Sequence, residues 1–141
     1  MKNYKYSELL SRMDEAIEHE FYLEASWITY AILEDRLLSI LKESGGGHDK
    51  IKMLGPKLGE VNKRMLNTLN MRKAFYGELL PDLDRWKDKR NMLMHTMASE
   101  AKTAAELDDD SKQLAMEGRC IARELCAACR RYKKFNSKSS S

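Results

Sequence analysis

The stretch LLPDLDRWKDKRNMLMHTM, residues 79–97, decides the fold. Successive residues of an α-helix are about 100° apart, so five apolar side chains of this stretch fall within roughly 40° of one line. They are Leu79, Leu83, Trp86, Leu93 and Met97. Such a stripe predicts a helix that packs against other helices through one face.

Hydrophobic residues recur at helical spacing on both sides of this stretch, which predicts further helices. The predicted helices cover about 7–17, 21–42, 48–71, 75–98 and 108–132. Gly45-Gly46-Gly47 should end the second, and Gly55-Pro56 should interrupt the third. With only two prolines and seven glycines, the chain has little turn chemistry for a many-stranded β fold. We therefore predict an all-α, four- to five-helix antiparallel bundle over 1–135, followed by a polar, disordered tail over 136–141.

Several features narrow the class of protein. The sequence has no apolar run of 18 or more residues, so no membrane-spanning helix is predicted. Its start, MKNYKYSELL, lacks the apolar region of a secretion signal, and three cysteines are an odd number for a disulfide framework. P-loop, GxGxxG and HExxH motifs are absent. A cytoplasmic protein without a cofactor is expected.

The net charge of +3 is small, but the basic residues are unevenly distributed. Residues 48–103 hold 12 Lys and Arg against 7 Asp and Glu. A second basic group lies near the end of the chain, at Arg130, Arg131, Lys133 and Lys134. A basic patch of this kind can guide a phosphate backbone, although solvated helix faces explain the same pattern.

Arg90 interrupts the apolar stripe of residues 79–97, at about 20° from its reference line. A guanidinium stays charged, so its burial without a partner is costly. The side chain therefore reaches past the stripe to water, pairs with an acid, or borders a cleft or a second subunit. Glu34, within the apolar second helix, is the candidate acid.

His95 follows Arg90 by five residues, which places their Cβ atoms roughly 140° apart on the helix. Asn91 precedes His95 by four residues and shares its face. Spacing alone does not make Arg90 and His95 a pair, and His95 is equally typical of an ordinary surface histidine.

Residues 90–95, RNMLMH, resemble the R-x4-6-H motif of HEPN domains, including the polar residue that follows the arginine. The predicted helix order is also similar to that of this family. HEPN domains are small all-helical proteins of defence systems, toxin–antitoxin pairs and CRISPR effectors. The resemblance implies a metal-independent ribonuclease in which two protomers form a composite site, so that Arg90 of one chain meets His95 of the other.

The resemblance also implies roles for individual residues. His95 would transfer the proton of the RNA 2′-hydroxyl, and Arg90 would hold the charge of the phosphorane. Asn91 would orient either group or donate to a phosphate oxygen. Three further cations would contact the RNA backbone: Arg85, Lys87 and Lys89. Trp86 is either a core residue or a stacking platform, and the product would carry a 2′,3′-cyclic phosphate.

Two other functions stay open. Many HEPN proteins are non-catalytic, which makes a helical dimerisation or protein-binding module, such as a toxin–antitoxin partner, the alternative. A plain RNA-binding bundle that uses the basic residues of its last two helices is the third. Toxins modified by a nucleotidyltransferase antitoxin often carry tyrosine two residues after the histidine, and Met97 occupies that position here.

The cysteines do not form the pattern of a metal site. On one helix Cys126 and Cys129 lie about 60° apart, and Cys120 points to the opposite side. A zinc site needs four converging ligands. We expect buried, small apolar residues and no metal.

Overall fold

The computed structural model describes residues 2–99 and 102–139, and regular structure in these ranges is helical. The all-α fold class is confirmed, with six α-helices in place of four or five. A single 3-10 turn, His48–Lys50, follows the second helix. The helices are α1 (Lys2–Glu18), α2 (Tyr22–Glu43), α3 (Leu54–Met65), α4 (Leu69–Ala74), α5 (Leu79–Ser99) and α6 (Ala104–Ser139).

The additional helix arises from the segment 48–71. Gly55-Pro56 does not interrupt a helix there, because α3 begins at Leu54 and both residues lie in its first turn. The first amide groups of a helix have no intrahelical acceptor, so proline costs little at that place. The break comes instead at residues 66–68, between α3 and α4. Likewise Pro81 lies in the first turn of α5, where a proline is compatible with the helix.

The glycine run ends α2 as predicted. Gly45, Gly46 and Gly47 all have positive φ, which side chains other than glycine rarely adopt. The amide of Gly46 donates to the carbonyl of Leu41 at 2.9 Å. Arg64 of α3 then donates to the same carbonyl at 2.7 Å and to that of Gly46 at 2.6 Å, so α3 satisfies the carboxyl end of α2.

α6 is longer than predicted at both ends. It begins at Ala104, where the hydroxyl of Thr103 accepts a hydrogen bond from the amide of Glu106 at 3.2 Å, rather than at the aspartates 108–110. It continues to Ser139, and Asn136 accepts a hydrogen bond from Asn70 of α4 at 3.0 Å. Residues 136–139 are therefore helical and not part of a tail; residues 140 and 141 lie outside the described ranges.

α6 is the central helix of the bundle. α2, α5 and α4 all pack against it, and α1 packs mainly on α2 and also contacts α6. Lys89 of α5 pairs with Glu117 of α6, and Met97 and Leu107 line one cavity, so α5 runs antiparallel to α6. None of the described helices has the length and apolarity needed to cross a membrane. The larger core side chains of the three main helices are Ile32, Leu33, Leu37, Ile40, Leu79, Leu83, Trp86, Leu93, Leu114, Leu125 and Tyr132.

One charged group in the core was not anticipated. Arg36 of α2 is 2% exposed. Its guanidinium lies 4.0 Å from the centre of the Tyr6 ring, and its Nη2 atom donates to Asp35 at 2.7 Å. Burial of this cation is tolerated because an aromatic face and a carboxylate replace the water it loses.

Candidate functional site

Trp86 fixes the rotation of α5 on α6. Its indole Nε1 donates to the carbonyl of Leu114 at 2.8 Å, and it is 1% exposed. A Cβ atom added to Gly118 would come within 2.8 Å of the ring, so the indole packs directly on the α6 backbone. Trp86 is therefore a core residue and not a stacking platform. The predicted stripe faces the core, with Leu79, Leu83, Trp86 and Leu93 buried and Met97 partly buried.

Arg90 lies one turn after Trp86, at the edge of the core, and is partly buried. Its guanidinium carbon is 4.1 Å from the centre of the Tyr30 ring of α2, and its Nη1 donates to Asn91 at 3.2 Å. Its Nε is buried and has no hydrogen-bond partner among the described residues. No described carboxylate forms an ion pair with Arg90, so its charge is held by an aromatic face and left without a counter-ion.

The predicted pairing of Glu34 with Arg90 is wrong. Glu34 accepts a hydrogen bond from the ammonium group of Lys57, on α3, at 3.2 Å. The residue of α2 that meets Arg90 is Tyr30, one helical turn before Glu34. α3 packs against α2, and Lys57 of α3 therefore occupies the carboxylate of Glu34.

His95 is exposed, and its side chain makes no hydrogen bond or ion pair with any residue of the described ranges. Five residues of helix separate it from Arg90, a rise of about 7.5 Å with a rotation of roughly 140°. One chain therefore brings Arg90 and Asn91 together, and His95 points about 140° away from Arg90 around the helix. Helix geometry alone therefore does not bring Arg90 and His95 together within one chain.

The three cations predicted to bind RNA are each neutralised by a carboxylate. Arg85 pairs with Asp82, and Lys89 pairs with Glu117 at 3.1 Å. Lys87 lies 3.1 Å from Asp84, and this hydrogen bond together with the charges of Asp84 and Asp88 raises the pKa of Lys87.

These cations do not converge on Arg90. Lys89 points to α6, and Arg85, one turn before it, shares that face. Lys87 lies on the other flank of α5, near Gly55 of α3. The structure therefore gives no common phosphate-binding cluster of Arg85, Lys87 and Lys89 around Arg90 in one chain.

A groove of about 550 Å³ lies between α5 and α6. Two ion pairs line it, Lys89 with Glu117 and Lys102 with Asp110. Met92 and Leu93 form part of its apolar floor. Arg90, Asn91 and His95 do not line the groove, although Asp88, which lies about 20° from His95 around the helix, does.

Sequence reasoning missed the role of Tyr30. Tyr30 and Trp27 fit the helical spacing of apolar core positions in the second helix, yet Tyr30 is only partly buried and Trp27 is 61% exposed. Trp27 precedes Tyr30 by three residues and shares its side of α2. An aromatic pair on the outer side of a helix is a weak signal in a sequence, because core helices carry the same residues at the same spacing.

The cysteines fit their predicted structural role in two of three cases. Cys126 and Cys129 are buried, and Cys120 is exposed. Burial raises the pKa of the Cys129 thiol to about 12 and also raises that of Cys126. Within 2–99 and 102–139, no group of three or more His, Cys, Asp and Glu side chains could hold a metal ion.

No family model matches the chain, and no curated protein or solved structure shows significant similarity to it. The candidate site is therefore defined by the residues themselves. Arg90 stacks on Tyr30 and is hydrogen-bonded to Asn91, and His95 is exposed elsewhere on the same helix.

Proposed function

We propose that the protein is a metal-independent endoribonuclease of the HEPN type, which acts as a homodimer and serves as a toxin or defence effector. The observation that carries the proposal is the missing counter-ion of Arg90. Arg85, Lys87 and Lys89 on the same helix each pair with a carboxylate, whereas Arg90 has none among the described residues. A partly buried guanidinium that keeps its charge is suited to an anionic ligand such as a phosphodiester.

In the proposed reaction the 2′-hydroxyl of one ribose attacks the adjacent phosphorus, and the bond to the 5′-oxygen of the next nucleotide breaks. His95 removes the proton of the 2′-hydroxyl, and Arg90 stabilises the extra negative charge of the phosphorane. The departing 5′-oxygen takes up a proton from solvent, and His95 returns its proton to solvent, so that the proton count balances. Asn91 holds one Nη atom of Arg90 through its carbonyl oxygen. The products are a 2′,3′-cyclic phosphate and a 5′-hydroxyl, and no external nucleophile is consumed.

Dimerisation is part of the proposal because one chain separates Arg90 from His95. A two-fold axis beside α5 would bring His95 of a second copy to Arg90 of the first. The surface there suits association. Trp27 is 61% exposed next to the Tyr30–Arg90 stack, and Met94 of α5 is partly buried between Arg90 and His95. An exposed tryptophan is a common central contact in protein interfaces.

The first test is cleavage of a 5′-labelled single-stranded RNA by the purified protein in EDTA. The proposal expects cleavage by the wild type and loss of cleavage in His95→Ala and Arg90→Ala. His48→Ala is the matched control, because His48 lies in the 3-10 turn after the carboxyl end of α2, whereas the cavity shared with Met97 of α5 lies at the amino-terminal end of α2. Cleavage by His95→Ala at the wild-type rate, or a product without a cyclic phosphate, would reject the mechanism.

The second test asks whether the site is shared between chains. If Arg90 and His95 of one site come from different chains, a mixture of inactive Arg90→Ala and His95→Ala proteins regains one intact site in every mixed dimer. Equal mixing should restore about one quarter of the wild-type activity. No recovery after demonstrated subunit exchange would place both residues of a site in one chain and contradict the composite site.

A non-catalytic dimerisation or protein-binding module is the second candidate function. One observation favours it: the Arg90 guanidinium is already engaged by Tyr30 and Asn91, as a structural cation would be. This function predicts no RNA cleavage under any condition, together with a dimer that Arg90→Ala dissociates or destabilises. Sedimentation of the wild type and this variant, measured beside the cleavage assay, separates the two functions.

A further inference from the structure

The end of the bundle formed by α4 and the last fifteen residues of α6, 125–139, is rich in cations. Residues 125–139 contain five Lys and Arg and no Asp or Glu. Residues 66–77 contain Arg72 and Lys73 and again no acid. We define the basic face as the cations of this end that lie around the α4–α6 contact: Lys73, Arg130, Arg131 and Lys134.

The basic face is joined into one surface by contacts between the two helices. Arg131 donates to the carbonyl of Ala74, at the end of α4, from Nη2 at 2.8 Å and from Nε at 3.2 Å. The ammonium group of Lys73 lies 5.7 Å from the centre of the Phe135 ring of α6. Arg130 and Lys134 are exposed and one helical turn apart, so they extend the face along α6.

The cations of the basic face have no ion-pair partner in the part of the chain that the structure describes. None of its four cations forms an ion pair with a described residue, whereas Lys89 and Arg123 pair with Glu117 and Asp14 elsewhere on α5 and α6. Like charges at i and i+4, as in Arg130 and Lys134, destabilise a helix slightly. The helix dipole favours cations only in the last turn, and Arg130 lies two turns before it. Contacts within the fold therefore account for Arg131 and Lys73 but not for Arg130 and Lys134.

The basic face also presents an aromatic ring. Tyr76 is 65% exposed, and the guanidinium of Arg131 covers it at 4.7 Å from the ring centre. Since the Ala74 carbonyl holds Arg131, the ring is supported from one side and remains accessible over most of its surface. Cations beside an exposed aromatic ring are the combination with which proteins bind single-stranded nucleic acid: phosphates contact the cations, and a base stacks on the ring.

The basic face is remote from the candidate site. Trp86 packs on Gly118, and Arg130 lies 12 residues further along α6, about 18 Å at 1.5 Å per residue. α5 runs the opposite way, so Arg90, one turn beyond Trp86, lies about 6 Å further from the basic face. The two surfaces are thus separated by roughly 25 Å along the bundle.

We propose that the basic face is a single-stranded RNA-binding surface, in which Lys73, Arg130 and Lys134 contact phosphates and Tyr76 stacks on a base. The choice of RNA as the polyanion rests on the proposed function. The surface anchors an RNA strand at a distance from Arg90 and His95, so it governs affinity for the strand and not the chemical step.

The test is filter binding of a radiolabelled 2′-O-methyl oligouridine over a range of salt concentrations. This RNA has no free 2′-hydroxyl and cannot be cleaved by the proposed reaction, so binding is measured independently of catalysis. The Arg130→Gln/Lys134→Gln double variant should bind on the order of tenfold more weakly, and the slope of log K against log salt should shrink by about 1.4. Tyr76→Ala should weaken binding roughly tenfold with the slope unchanged.

The matched control is Lys52→Gln/Lys63→Gln, which removes two exposed cations outside the basic face and makes the same change in net charge. The control should bind like the wild type. Equal weakening by both double variants, or unchanged binding by the variants of the basic face, would overturn the proposal. Binding to phosphatidylserine vesicles that needs the basic face, without binding to the oligouridine, would also overturn it in favour of a membrane surface.

The result of the oligouridine binding test does not depend on whether the protein cleaves RNA. Cleavage of natural RNA that is unaffected by the basic-face variants would remove the anchoring surface and leave the nuclease proposal intact. Oligouridine binding that depends on the basic face, in a protein that never cleaves RNA, would support the surface and remove the nuclease. Circular dichroism melting curves verify that the variants, all at exposed positions, are folded.

Discussion

The guanidinium of Arg90 lies over the ring of Tyr30, 4.1 Å from its centre, and this contact joins α5 to α2 across the outer side of the bundle. The contact replaces the acid that a partly buried arginine ordinarily requires. Because the ring neutralises no charge, Arg90 keeps its full attraction for an anion while its position is fixed.

We expect Tyr30→Leu to lower the free energy of unfolding by about 1 kcal/mol, because the leucine side chain offers no aromatic face to the cation. If the nuclease proposal holds, the same variant should also lower kcat for RNA cleavage. Tyr30→Phe is the control that keeps the ring and should restore both stability and kcat. Equal losses in the Phe and Leu variants would show that the ring does not position Arg90.

Gly118 is required by the indole of Trp86. Alanine at this position should lower the free energy of unfolding by about 2 kcal/mol, since its Cβ would lie 2.8 Å from ring atoms that a core position holds in place. Gly59→Ala is the matched control, because Gly59 is also helical and no heavy atom lies within 4 Å of its added Cβ. It should stabilise α3 by up to about 1 kcal/mol. Urea denaturation of both variants measures the two changes in the free energy of unfolding, which should have opposite signs.

The buried pair of Arg36 and Asp35 should behave differently from a surface pair. Asp35→Asn leaves a guanidinium that is 2% exposed without a counter-ion, and we expect a loss of about 3 kcal/mol in the free energy of unfolding. Adding Arg36→Met removes the stranded charge and should recover part of that loss. Glu8→Gln, which breaks the exposed pair with Arg12, should cost less than about 0.5 kcal/mol. Additive losses in the double variant would contradict the assignment.

The stability of the protein should decrease at alkaline pH through Cys129. Burial raises the pKa of this thiol from 9.0 to about 12, so the unfolded chain releases the proton at a lower pH than the folded chain does. The free energy of unfolding should therefore fall by up to about 1.4 kcal/mol per pH unit between pH 9.0 and about 12 from this group. The free energy of unfolding of the Cys129→Ala variant should fall less steeply with pH than that of Cys120→Ala, which removes an exposed thiol and keeps Cys129. Identical slopes for the two variants would refute the argument.

The position of Arg90 followed from the sequence, whereas its partner did not. Helical periodicity fixes the direction of every side chain of α5, so the stripe and the cation at its centre could be read from residues 79–97 alone. The choice between Glu34 and Tyr30 depends on how far α2 has slid along the bundle, which no local pattern determines. Charge complementarity favoured Glu34 as the partner of Arg90, but in the structure Glu34 pairs with Lys57.

Helix boundaries were predicted correctly where one residue type is required by the backbone conformation, and they were missed where several conformations suit the same residues. The glycine run at 45–47 ended α2 because positive φ is open to glycine. Pro56 was misplaced, since proline is compatible with a first turn as well as with a break. The end of α6 was set too early, because the interhelical bond between Asn70 and Asn136 has no signature in a polar sequence.

The two tryptophans differ strongly in solvent exposure: Trp86 is 1% exposed and Trp27 is 61% exposed. Acrylamide in solution will quench the indole emission of Trp27 and spare that of Trp86, which gives the wild-type protein two optical reporters without a dye. The emission of Trp86 reports loss of the fold. That of Trp27 reports whatever covers the outer side of α2, so protection from the quencher at rising protein concentration would record the association of two copies directly.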